Sequence, residues 1–142
     1  MSSPLRQSVQ IDAHTLWRED DLICLRAVGD LTAGVVDWVQ TASQQILAQH
    51  PEYYVLADLL DAGPIQPALR RRLVEHVARH PARAIAFYRV NFVAYGINAL
   101  LFGALNTLGK RKQLFKQFAS ESEARLWLSS QRPVAGSGGR GG

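Results

Sequence analysis

The chain has 142 residues, the size of one domain, and its 47% hydrophobic and 20% charged content excludes a disordered chain. Sixteen basic against twelve acidic side chains leave a net charge of +4, far from the charge of a histone-like protein. The single cysteine, Cys24, excludes an intrachain disulfide and a zinc site built on cysteines alone.

Residues 1–8 are polar and read as a flexible N-terminus without the apolar core of a secretory signal. Residues 9–18 alternate loosely and run into an acidic turn, and residues 22–28 are rich in β-formers, so the two predict a hairpin. Gly29 and Asp30 break it, and Thr32 is placed to cap a helix. Val35, Val39, Ala42 and Ile46, with Trp38 beside them, make the apolar stripe of that helix, which ends near His50 and Pro51. Residues 53–60 are nearly all apolar and predict a buried central strand. Pro67 opens a second helix with Leu69, Leu73 and Val77 as its stripe, and residues 84–90 predict another buried strand.

Asn91 can cap a third helix that Gly109 ends, with Lys110, Arg111 and Lys112 at its negative pole. Residues 114–119 predict a last strand. Ser120 caps a short fourth helix with Ala124, Trp127 and Leu128 as its apolar face. Residues 131–142 are glycine-rich and read as a disordered tail, leaving one domain over residues 9–130. The order β-β-α-β-α-β-α-β-α predicts a single α/β domain with a mixed, mostly parallel sheet, its first strand antiparallel to the second.

Three stretches carry a resemblance. The first is Ala57-Asp58-Leu59-Leu60-Asp61 leading through a turn into a helix. The second is Ala84-Ile85-Ala86-Phe87-Tyr88 before an apolar helix. The third is a closing strand followed by Glu121-Ser122-Glu123-Ala124 and Trp127-Leu128. Together with the element order they resemble the STAS superfamily of anti-sigma-factor antagonists, in particular its divergent SpoIIAA-like branch. The resemblance implies a bacterial regulatory module that binds other proteins. Members of the switch type carry a phosphorylatable Ser or Thr in a turn like Asp-Ser-Ser-Gly after the third strand. The matching turn here is Asp61-Ala62-Gly63-Pro64-Ile65-Gln66, and no Ser or Thr stands between Ser43 and Thr107. A phosphoryl switch has no acceptor there.

Ligands of open α/β sheets favour the carboxyl ends of the strands. Asp58 and Asp61 fall there as a candidate carboxylate pair, or as a strand-end residue bonded to a backbone amide and a turn residue. His76 and His80 have a metal-compatible spacing but lack the Glu of His-Glu-x-x-His, so they read as a solvated or dipole-facing pair. Arg70, Arg71 and Arg72 form one basic group, and Lys110, Arg111 and Lys112 another. The arginine group has no interleaved aromatic residues, which argues against nucleic acid.

The third helix is apolar on more sides than one sheet contact needs. Val93, Ile97, Leu100, Ala104 and Leu108 suffice to dock it, while Leu101, Phe102 and Leu105 remain, near Asn91, Tyr95 and Asn98. With no nucleophile–base pair, metal set or cofactor motif, the expectation is a non-enzyme without cofactor or metal, a STAS-like interaction module that forms a homodimer or binds a protein partner. Asp61, Asn91, Tyr95, Asn98, Leu101, Phe102 and Leu105 are its candidate interface or ligand residues, the competing reading being that the fourth helix and the hairpin cover the third helix within the chain. The alternative is an apolar-ligand or lipid-binding protein, peripheral on an anionic membrane. The SpoIIAA-like branch is similar in outline to CRAL-TRIO lipid carriers, and the apolar third helix is followed at once by a cationic cluster. The longest apolar stretch, residues 92–108, is interrupted by Asn98 and Asn106, so the expected location is the cytoplasm, with the inner membrane face as the peripheral variant.

Overall fold

The apolar run ahead of Gly63 lies inside a sheet covered on both faces, which is why it lacks the polar alternation of a half-exposed strand. The structure, a computed structural model, describes residues 8–89 and 114–132. Among these, one sheet runs in chain order through β1 (Val9–Ile11), β2 (His14–Glu19), β3 (Leu22–Gly29), β4 (Tyr54–Ala62), β5 (Ala84–Tyr88) and β6 (Leu114–Phe118). The helices are α1 (Ala33–Leu47), α2 (Pro67–Arg79) and α3 (Glu121–Gln131). β1, β2 and β3 pair antiparallel, and β3 to β6 pair parallel. This is the mixed, mostly parallel α/β sheet expected. The third helix predicted from the sequence lies outside the described residues.

The start of the chain differs from expectation, because residues 9–18 form two strands rather than one. The fold-back occurs at Asp12, whose φ of 54° is left-handed, and the same device recurs at Asp20 with φ 57° between β2 and β3. Aspartate tolerates that conformation better than most residues. His14, buried, then ties the hairpin to the turn after β3. Its Nδ1 accepts from the Val28 amide at 3.0 Å, which places the ring proton on Nε2, 2.9 Å from the Asp30 carbonyl.

Alternation along the strands divides the core in two. Ile23, Ala57, Ile85 and Phe87 face α1 and α2, which contribute Ala42, Ile46 and Val77, with Trp38, Val39, Leu73 and Val74 packed around them. Successive parallel strands advance in one direction across the sheet, so right-handed crossovers put both helices on that face. Leu22, Cys24, Tyr54, Leu56, Ala84, Ala86 and Tyr88 face the other way, against Ala124 and Leu128 of α3. Burying one large aliphatic side chain stabilises by about 1.5–3 kcal/mol, so the helix stripes dock these elements more than helix propensity does.

Caps and ends match the sequence unevenly. Ser120 Oγ accepts from the Glu123 amide at 3.3 Å, as its position predicts. Thr32 occupies the N-cap of α1 but makes no side-chain cap, and its buried Oγ1 has no hydrogen-bond partner. The buried Tyr53 hydroxyl donates to the His80 carbonyl at 2.5 Å, so a phenol serves the carbonyl end of α2.

His76 corrects a sequence expectation. It is not solvated but buried between α1 and α2, with Nε2 3.2 Å from the Ser43 hydroxyl, which itself donates to the Gln40 carbonyl. Burial, with the charges of His80 and Arg79 beside it, lowers its pKa from 6.5 to about 4. The unfolded chain therefore takes up this proton first as pH falls. The contribution is fully present above pH 6.5 and is lost towards pH 4, a loss of roughly 3 kcal/mol at about 1.4 kcal/mol per pH unit. Urea denaturation from pH 8 to 4 should show this loss in the native chain and a flatter dependence in His76→Gln. An unchanged profile in the variant would remove His76 as the cause.

Candidate functional site

Strand register sets one row of side chains across the carboxyl end of the sheet. Arg26 on β3 pairs with Asp58 on β4, which pairs with Tyr88 on β5, which pairs with Phe118 on β6. Past Asp58 the ladder slips: Val28 pairs with Asp61, so β4 carries one extra residue, a bulge. Asp58 and Asp61 would otherwise point to opposite faces, three residues apart on a strand. With the bulge, Arg26 reaches both, at 3.9 Å from Asp58 Oδ2 and 3.6 Å from Asp61 Oδ2. Leu60 is left 43% exposed between them.

Asp58 is the centre of this group. Its carboxylate is 3% exposed at residue level and accepts the Leu60 amide at 3.1 Å, as a strand-end aspartate is expected to. Arg89 then clamps it with two donors, Nε at 3.3 Å and Nη2 to the other oxygen. Arg89 leaves β5 at a φ of 53°, and its amide donates to the Phe118 carbonyl at 3.2 Å. The hydrogen bond and charge of Asp58 hold the guanidinium pKa above its usual value. Arg89 also lies 6.0 Å over the Tyr88 ring. Burial first, and then the negative charges of Glu121 and Asp58, push the Tyr88 hydroxyl up to about 12.

Two arginines and two aspartates thus neutralise one another. The Asp58 carboxylate that sequence reasoning offered for proton transfer is clamped by the Arg89 guanidinium and bonded to an amide, with a second guanidinium 3.9 Å away. Sequence reasoning missed Arg26 and Arg89. A lone arginine inside an apolar strand, and another at a strand end beside a buried aspartate, were the available signals.

The neighbouring turn, residues 63–66, is tightly tied. The Gly63 amide donates to the Gly29 carbonyl at 2.8 Å, and Gln66 Nε2 donates to Asp30 Oδ2 at 3.1 Å. A Cβ at Gly63 would stand 2.6 Å from Asp30 Oδ1 and 3.0 Å from the Gly29 carbonyl carbon, so a side chain there would displace the Asp30 carboxylate and press on the Gly29 backbone.

Of the other candidates, Arg72 bridges α2 to α1 through Asp37 at 2.7 Å and Gln40 at 3.1 Å. It is a helix–helix tie, while Arg71 is exposed and Arg70 half-buried on the same helix. His76 and His80 meet ring to ring at 5.6 Å, and among the described residues no group of three or more metal-ligating side chains converges. Asn91, Tyr95, Asn98, Leu101, Phe102, Leu105, Lys110, Arg111 and Lys112 lie outside the described residues. No described helix is long and apolar enough to cross a membrane.

The sheet, with strand and turn leading into α2 and a closing strand and helix, is a SpoIIAA-like fold. The chain is similar to the crystal structure of an uncharacterized protein of the DUF3478 family with a SpoIIAA-like fold from Shewanella loihica PV-4. The TM-score is 0.57 at 20% identity, over 90% of this chain and 98% of that one. No family model and no curated protein matches the sequence.

Asp58→Ala should cost roughly 2 kcal/mol in urea denaturation, since it removes a buried charge-assisted cluster. Asp61→Ala, on an exposed carboxylate, should stay within about 0.5 kcal/mol. Equal losses would mean that Asp58 does not organise this end of the sheet.

Proposed function

We propose that the protein is a non-catalytic, STAS-like interaction module that docks a protein partner or a second copy of itself without a phosphoryl switch. The observation that carries this reading is the turn at residues 63–66. In a SpoIIAA-like fold this turn joins the central strand to the helix after it, where switch-type members carry their phosphorylatable hydroxyl. Here it has no hydroxyl, and it is pinned to the preceding turn by Gly63, Gln66 and Asp30. Nothing at that position can accept a phosphoryl group, so docking is gated elsewhere or not at all.

The strand-end cluster supports the same reading. A charge-balanced surface of Arg26, Asp61 and Arg89 around the exposed Leu60 suits recognition of another protein better than acid–base chemistry, because Asp58 is already held. The homodimer face expected on the third helix remains part of this proposal, and the cationic cluster after it belongs to the lipid-binding alternative.

Native mass spectrometry of the gently purified full chain tests it. A dimer, or a complex with a retained protein, is the expected result. A bare monomer at every concentration overturns the reading. An adduct of lipid mass replaces it with the ligand-carrier alternative.

A further inference from the structure

The last helix is fastened differently from the other two. Among the described elements, α1 and α2 connect neighbouring strands, whereas α3 follows β6 and breaks no ladder pair by leaving. Its fully buried side chains are only Ala124 and Leu128, and Leu126 is 73% exposed.

Apolar packing seats α3, with half-buried Trp127 against Phe118, ring centres 5.6 Å apart, beside Ala124 and Leu128, and two charge pairs then tie it across to the hairpin. Arg125 forks onto Glu19 at 2.8 and 2.9 Å, and Arg132 reaches Asp21 at 2.6 Å, both on the β2–β3 hairpin. Each member of the first pair keeps a partner if they separate. Glu19 Oε2 still accepts from Trp17 Nε1 at 2.8 Å, and Arg125 Nε still donates to Glu121 on its own helix at 2.7 Å. Separation therefore strands neither charge, which is the usual penalty for breaking a partly buried pair. At the second anchor the closed state is imperfect, because Arg132 Nε is buried with no hydrogen-bond partner while its guanidinium stacks 4.8 Å over Tyr54. Opening would return that donor to water.

We propose that α3 is a latch. It opens as a unit by parting Arg125 from Glu19 and Arg132 from Asp21, and it uncovers the apolar strip of Cys24, Tyr54, Leu56, Ala84, Ala86 and Tyr88 beneath it. Ionic strength shifts the closed fraction, since screening weakens both charge anchors while the apolar seat of the helix is left. Closed, this face of the protein is a polar helix surface; open, it is an apolar sheet. Elements with few buried side chains belong to the low-stability end of a protein's local openings. The latch stands independently of any partner, because it concerns this chain's own equilibrium.

Cys24, the chain's single thiol, reports the opening because it is fully buried in the apolar cluster that Ala124 and Leu128 of α3 complete. The measurement is the rate at which the neutral reagent N-ethylmaleimide labels the full native chain, at low urea and at several salt concentrations. The expected rate depends on urea with a slope well below that of global unfolding, and rises with sodium chloride. In Arg125→Gln/Arg132→Gln it should rise about tenfold and lose most of its salt dependence, while the circular-dichroism signal of the sheet persists. The proposal is overturned if wild-type labelling carries the full urea slope of global unfolding. It is equally overturned if labelling ignores both salt and the double substitution.

Discussion

Burial of β4 on both faces is the constraint from which the rest of the molecule follows. Tyr54 and Leu56 point to one side, and Val55 and Ala57 to the other, so neither face can be left to water. Crossover geometry puts α1 and α2 on one side. The opposite side is closed by α3, which packs on β4 to β6 and reaches the β2–β3 hairpin through ion pairs over a hundred residues apart in sequence. The asymmetry in how the two faces are covered is therefore a consequence of chain order.

The same strand also decides the chemistry at its carboxyl end. Its bulge turns a second aspartate towards Arg26, and its last buried position holds a carboxylate that needs cations to remain there. The two arginines supply them. What could have been a pair of reactive acids becomes a neutral, hydrogen-bonded group beside a turn that cannot be phosphorylated. Both features underlie the proposed reading as an interaction module.

Much of the scaffold was legible in the residues. The stripes of α1 and α2, the Pro67 start and the Ser120 cap are local signals, and each is found where periodicity and capping put it. The hairpin between β1 and β2 was not legible, because its turn is Asp12-Ala13 rather than a pair with glycine, and only the backbone reveals the left-handed Asp12. His76 was misjudged because its spacing to His80 says which way it faces but not that Ser43, 33 residues earlier, lies opposite. The strand-end cluster was half legible: the aspartates stood out, but pairing them with Arg26 and Arg89 requires knowing the register. The residues favoured for an interface, Asn91 to Leu105, carry a reading that still rests on their pattern in the sequence.

The three-residue strand β1 has a consequence for how copies of the protein meet. Among the described residues it forms the edge of the sheet beside β2, and its residues are exposed or half-exposed, with polar Gln10 at its centre. So short a margin offers an incoming strand almost no ladder to extend, which discourages end-to-end growth of sheets between molecules. Self-association at that margin would have to be written in side chains rather than in backbone hydrogen bonds, so it would be specific to surface residues and open to change by single substitutions.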